Sequence, residues 1–391
     1  MSNIHPGQRR PKVRHLVSHA AQRLPATLLF LVLVSSLLSL LAKSVCAQNA
    51  TRKVLVLASD DQYIPANKLI NEAIRSTMKK RSAAQVSFFY EALDSFRLNG
   101  EKYENEFVEL LRRKYDGENI ELIYVLGPPA LRFLSKHQDT LFTGTPIVYI
   151  VLDQNRLNDL ALGPNVTGVS GKVELQPTLD LALTIQPETK KVVVVTGQTQ
   201  LEAALVQQAH EEFRPYEGKV EFDYIVGPPL DELEDKLSEL PANIIVFYLG
   251  FSTDKTGQTH SSPEVLSFLM PSCSAPIYGA SEILMGLGIV GGRLIDFDAM
   301  GTRAAEMGLH ILAGEKPQNI PRQVMPNTTM FDWRQLHRWG ISERRIPAGS
   351  VIRFREATFW EQYKWRIIGV ISLLIFESIL IVFLLVQRSR R

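Results

Sequence analysis

The residues of this chain best suited to chemistry gather where short apolar runs end. Ser59, Asp60, Asp61 and Tyr63 follow Lys53-Val54-Leu55-Val56-Leu57-Ala58. Carboxylates and hydroxyls at such a place can grip an amine or hydroxyl of a small solute. Ser and Asp also cap helices, and both uses coincide at the carboxyl end of a strand. Gly127, in Gly127-Pro128-Pro129, occupies a similar turn after residues 120–126, and neither proline has a backbone N–H to donate. Asp153 follows the run 146–152, and Gln198 and Thr199 follow 191–195. Tyr248 closes the run 243–248 and offers an aromatic face to a planar solute. Ser281 and Glu282 come just after Ile277-Tyr278-Gly279.

No reaction chemistry emerges beside these candidates. The histidines, among them His210, His260, His310 and His337, lack metal-ligand spacing, and no Ser/His/Asp or Cys/His set stands out. Cys273 is left alone once Cys46 departs with a leader, so no intrachain disulfide is expected. Gly286-Leu287-Gly288-Ile289-Val290-Gly291 fits the dinucleotide fingerprint literally. That fingerprint needs a strand before the glycines and a helix after them, whereas these glycines run into a strand. The expectation is a binding protein, not an enzyme, with no metal and no cofactor.

The elements that must position these residues alternate along the chain. Strand-like runs at 53–58, 85–90, 120–126 and 146–152 are separated by helical stretches near 65–80, 103–115 and 129–137. The pattern then restarts, with strands at 191–195, 220–226, 243–248 and 275–278 and helices near 200–213, 230–240 and 263–270. Continuous apolar strands between amphipathic helices imply parallel sheets covered on both faces. About 300 residues exceed what one core usually serves, which favours two lobes. Tyr124-Val125-Leu126-Gly127-Pro128-Pro129 and Tyr224-Ile225-Val226-Gly227-Pro228-Pro229 repeat one strand-to-helix turn. Two such lobes leave a cleft at their strand ends, suited to capturing a solute by hinge closure.

The termini address the chain to a membrane. Arg9, Arg10, Lys12, Arg14 and Arg23 precede the apolar run 26–42, and Val45-Cys46-Ala47 offers a cleavage site. Residues 1–47 therefore read as a signal peptide, or as an uncleaved signal anchor. An apolar run from 367 to 386 is long enough to span a bilayer. Tyr363 and Trp365 lie before it and three arginines after it, which puts the C-terminus inside. Glu377 is costly at that depth and suits a hydrogen bond between paired spans, a possible homodimer. Of the net +2, residues 1–43 carry +6 and 366–391 carry +3, leaving −7 for the middle. An acidic middle argues against nucleic acid.

Particular motifs then carry a resemblance. Asn165-Val166-Thr167-Gly168-Val169, Leu181-Ala182-Leu183 and Pro187-Glu188-Thr189-Lys190-Lys191-Val192 resemble the ABC-transporter substrate-binding-like family, with its type I periplasmic-binding-protein fold. Thr145-Pro146-Ile147-Val148 with Asp153, and Gly314-Glu315-Lys316-Pro317 with Ile320-Pro321, are similar to further segments of it. The resemblance covers 52–326 and implies lobe one at about 52–164 and 287–326, with lobe two at 165–286. A linker at 327–364, a transmembrane helix at 365–387 and a cytoplasmic tail at 388–391 complete the expectation. From Phe331-Asp332-Trp333 to Glu361 the chain resembles the juxtamembrane part of bacterial sensor histidine kinases. No phosphoacceptor or ATP-binding region follows, so the expected role is the sensor input of a receptor lacking its kinase output. The implied location is the bacterial inner membrane, with the main domain periplasmic and a small-molecule ligand of unknown class. The alternative is a membrane-tethered substrate-binding component of an ABC importer, partnered by a permease instead of a cytoplasmic kinase module.

Overall fold

The computed structural model describes residues 51–390 apart from 96, 99, 357 and 358. The basic leader, its cleavage site and Cys46 lie outside the described residues. Residues 52–82 and 86–390 belong to one compact unit, which is the subject below.

Two α/β layers are built from runs that the sequence already marked as strand-like. The first sheet holds β1 (Arg52–Ala58), β2 (Val86–Ala92), β3 (Leu122–Leu126), β4 (Ile147–Val151), β5 (Val166–Ser170) and β11 (Gln323–Val324). Its order is β11-β5-β4-β3-β1-β2, with every pairing parallel. Alternate residues of these strands face opposite layers. Val54, Val56, Tyr124, Leu126 and Val148 pack with α1 (Pro65–Arg81) and α8 (Phe297–Leu312). Leu55, Leu57, Ile123, Val125 and Tyr149 pack with α2 (Glu101–Lys114) and α3 (Pro128–His137). Both faces are covered, so these strands read as unbroken apolar runs.

The second sheet holds β6 (Lys191–Thr196), β7 (Glu221–Val226), β8 (Ile244–Gly250), β9 (Ile277–Gly279), β10 (Ile289–Leu294), β12 (Thr328–Asp332) and β13 (Val351–Arg353). The order is β13-β12-β10-β9-β8-β6-β7, and only the β10–β12 pairing is antiparallel. Residues from α4 (Gln176–Ile185) and α5 (Gln200–Phe213) pack on one face. The other face receives α6 (Leu230–Ser238) and α7 (Ser262–Leu269).

The expected lobe boundaries move. β5 pairs with β4 in the first sheet, and β10 pairs with β9 in the second. The chain therefore crosses between sheets at 171–175, 295–296 and 325–327, not at 165 and 287. The stretch read as a linker from 327 carries β12, α9 (Trp333–Arg338) and β13, and so completes the second sheet. All three crossings lie at the carboxyl ends of β5 and β10 or enter β12 opposite Leu294, so the carboxyl ends of both sheets meet around them. After β13 comes α10 (Phe359–Ser389). Within it Tyr363–Ser389 is long and apolar enough to cross a membrane, and none of its apolar window is buried.

Candidate ligand-binding cleft

The strand ends of the first sheet hold a lip tied together by Ser59. The Ser59 hydroxyl donates to the Leu126 carbonyl at 2.9 Å and accepts from the Ala130 amide at 3.0 Å. It caps α3, the helix of the neighbouring strand, and is buried. Gly127 makes this approach possible: its φ is +90° and a Cβ there would lie 2.6 Å from the Ser59 oxygen. With Ala130 N engaged and no N–H on Pro128 or Pro129, this helix start has no first-turn donor left for an anion.

Carboxylates dominate the rest of that lip. Asp60 accepts from the Ser95 hydroxyl at 2.9 Å, and Asp61 from the Tyr63 amide at 2.9 Å. The Tyr63 ring itself is exposed. Beside them Tyr90, which sequence reasoning missed, buries its hydroxyl without a hydrogen-bond partner among the described residues. Burial raises its pKa, and Asp61 and Asp60 push it further in the same direction. Asp153 accepts from the Asn155 amide at 2.9 Å and starts the short turn after β4. A depression of about 280 Å³ opens at the same end, lined by Leu93, Ser95, Leu98, Tyr103, Pro129 and Phe133 among others.

The facing lip of the second sheet is organised by a residue absent from the sequence candidates, Glu202. Its Oε2 accepts from the Thr199 amide and hydroxyl, each at 2.8 Å, and its Oε1 accepts from the Ser252 amide at 2.6 Å. Thr199 is thereby consumed in a capping box at the start of α5. The Glu202 carboxylate lies under Gly197, where a Cβ would come within 2.5 Å of it. Gln198 remains exposed, with its amide bonded to the Thr253 carbonyl at 2.9 Å. The adjoining loop is stiffened by Asp254, which accepts from Thr256 N, Thr256 Oγ1 and Gln258 N at 2.6–3.0 Å. The Thr256 hydroxyl bond, against opposing burial, holds the Asp254 carboxyl down at about 2, helped by Gln258 and His260. The Thr199-x-x-Glu202 spacing was the sequence signal for this arrangement.

Two expected ligand contacts are occupied elsewhere. Tyr248 is 2% exposed and its ring lies in the core with Val195, Val246 and Leu266. Its hydroxyl donates to the Ser262 carbonyl at 2.7 Å. β8 alternation places it on the same face as Val246, so stacking on a solute is not available to it. Glu282 is 3% exposed and points into the crossing between sheets. Its Oε2 accepts from the amides of Phe297 at 2.7 Å and Asp298 at 3.2 Å. Its Oε1 meets Arg353 at 2.6 Å as an ion pair, without hydrogen-bond alignment. Burial and then Asp296 raise its pKa, more than the Asp298 amide and Arg353 lower it. Ser281 stays half-buried beside it and pairs with Ile295.

The structure thus gathers Ser59, Asp60, Tyr63, Gly127 and Asp153 at one set of strand ends, and Gln198, Thr199 and Ser281 at the other. Among the described residues no group of three or more His, Cys, Asp or Glu side chains could hold a metal. A larger depression, about 480 Å³, runs along the edge strand β7 from Lys191 and Ile244 to Val226 and Lys255. It lies on the outer edge of the second sheet, away from the crossings, and is not part of this cleft. Glu377 sits within α10, in its exposed apolar stretch.

Comparison with known proteins agrees with this build. Residues 90–335 match a family described as ABC transporter substrate binding protein. A tyrosine-binding protein of Clostridioides difficile is 21% identical over 248 residues, covering 62% of this chain and 70% of that protein. Among solved structures, an ABC domain from Streptococcus pneumonia in complex with L-Trp superposes with a TM-score of 0.52 at 19% identity. The ligand-free, open form of a Clostridium difficile substrate binding protein with adhesive properties gives 0.56 at 15%. Each match covers 78% of this chain and 100% of the other. At these identities they establish the fold: two parallel-rich α/β sheets of the type I periplasmic-binding kind.

Proposed function

The chain belongs to the ABC transporter substrate binding protein family, and from that premise we propose that it senses an amino acid outside the membrane. The solute sits between the two sets of strand ends, with its amine against Asp60 and Asp61. Closure of the lobes around it passes through β13 to α10, which spans the inner membrane and leads to an output module inside. The observation that carries this reading is the wiring of the C-terminal segment. β12 and β13 are strands of the second sheet, and α10 begins only six residues after Arg353. The ligand class is supported by relatives that bind tyrosine and L-Trp. Homodimerisation through Glu377 and a periplasmic location belong to the same proposal.

Titration of the purified full chain with L-tyrosine and L-tryptophan tests it. Saturable binding is expected, weakened about tenfold or more by Asp60→Asn combined with Asp61→Asn. Absence of saturable binding to either probe and to the other common amino acids would remove the ligand assignment. The family itself favours a second reading, a tethered component that delivers solute to an ABC permease. In that case added ligand leaves amide exchange across 351–366 unchanged, whereas the receptor reading requires it to change.

A further inference from the structure

We propose that Glu282 is a positioning residue that ties the hinge between the lobes to the strand leading into the membrane helix. Its consequence rests on the receptor reading above; its existence does not. Glu282 follows β9 in the second lobe, yet the two amides it holds, Phe297 and Asp298, open α8 of the first lobe. Those residues come directly after the 295–296 crossing. The crossing is itself sewn to the same segment: Ile295 N donates to Ala280 O at 3.0 Å, and Glu282 N donates to Ile295 O at 3.2 Å. Rotation of the first lobe therefore either breaks the bonds to Glu282 or drags residues 280–282 along.

The other carboxylate oxygen faces the membrane-proximal strand. Arg353, the last residue of β13, pairs with it at 2.6 Å. The next residue, Phe354, turns with φ +58° and lays its ring against Gly286, where a Cβ would lie 2.7 Å from the ring. The Arg334 guanidinium covers that ring at 4.5 Å and donates to the Gly286 carbonyl at 3.2 Å. Residues 282–286 are thus held by α8 at one end and by Arg353-Phe354 at the other. A buried carboxylate needs all of its partners, since an unpaired charge in that setting is strongly disfavoured. An ion pair that served the second lobe alone would have no reason to share its carboxylate with the first turn of a first-lobe helix.

Amide hydrogen exchange of the full chain in nanodiscs tests the link without any ligand. The Phe297 and Asp298 amides report the Glu282 bonds directly, because their acceptor is that side chain. Arg353→Met, which removes a group touching neither amide, is expected to speed their exchange about tenfold. Glu282→Gln keeps an oxygen for both amides but loses the charge that holds Arg353. It is expected to speed both 297–298 and 351–356 severalfold. The proposal is overturned if Arg353→Met affects only 351–356. Should Arg353→Met loosen the whole second sheet, Glu282→Gln decides alone, and unchanged exchange at 351–356 overturns the proposal. A failed amino-acid titration would bear on the ligand reading and leave this result standing.

Discussion

Replacing Glu202 by alanine should separate the two loops that form the second lip. Three donors lose their acceptor at once: Thr199 N, Thr199 Oγ1 and Ser252 N, now at 2.8, 2.8 and 2.6 Å. A buried donor left without an acceptor costs about 1–3 kcal/mol, while the Thr199 hydroxyl keeps its cap bond from the residue 202 backbone amide. The hydroxyl can rotate to another partner, and water can reach the loop past the exposed Gln198. The expected loss is therefore about 2–4 kcal/mol and not the sum of three full penalties. Against a total stability of about 5–15 kcal/mol this is measurable. Urea unfolding of the full chain in detergent, followed by circular dichroism, reads it, and amide exchange at 197–199 and 251–254 locates it. Glu202→Gln retains one acceptor but aims an amide N–H at a donor, so it should lose at least half as much. A stability change below about 0.5 kcal/mol for the alanine variant, with exchange at 251–254 unaltered, would refute this account of the lip.

Gly127→Ala combines a left-handed backbone with a Cβ contact to Ser59 and should cost about 1–3 kcal/mol, read as a lower urea midpoint. Asp254 sets a pH dependence of definite sign. Its folded pKa, about 2, is below the ordinary value, so its stabilisation is present above about pH 4 and is lost as pH falls towards 2. The midpoint difference between wild type and Asp254→Asn should hold steady from pH 7 to 5 and shrink between 4 and 2.5. Glu377→Leu should weaken self-association of the span roughly threefold to thirtyfold in a membrane reporter assay, and an unchanged signal removes the paired-span reading.

The strands that sequence reading located are those buried on both faces. Val192 to Val195, or Leu55 to Leu57, announce themselves because nothing polar can occupy either side. Assigning strands to sheets was harder, because pairing is non-local. Asn165-Val166-Thr167-Gly168 does not reveal that Gly168 packs against Tyr149, where a Cβ would lie 2.3 Å from the carbonyl. β12 and β13 are short, and β13 is partly exposed, so the stretch resembles a linker. Strand ends were taken as the place for a lip, and which side chains point outward there depends on distant partners. Ser59 turns to a helix 71 residues on, and Glu282 meets Arg353 across a comparable separation. Tyr248 was legible by alternation from Val246. Glu202 was legible as a capping box.

On the receptor reading proposed above, the attachment of α10 decides which lobe moves relative to the membrane. Five residues separate Arg353 from Phe359, a reach of at most about 22 Å, so the helix is geared to the second lobe. Among the described residues the first lobe meets it at the three crossings, at Glu282 and at Ile283, which packs against the cores of both lobes. A ligand can shift the lobes only by its differential affinity for the closed state, and reversing a 1:99 balance takes about 10⁴-fold preference. If part of that free energy reaches α10, linkage is reciprocal: whatever constrains the helix must alter ligand affinity by the same factor. A flexible ten-residue Gly/Ser insertion after Arg355 should then change the affinity for L-tyrosine while leaving the cleft intact. A tether obeys the opposite rule. With no free energy passing β13, affinity with and without the insertion must be equal, and calorimetry on the two chains distinguishes a receptor from an anchor.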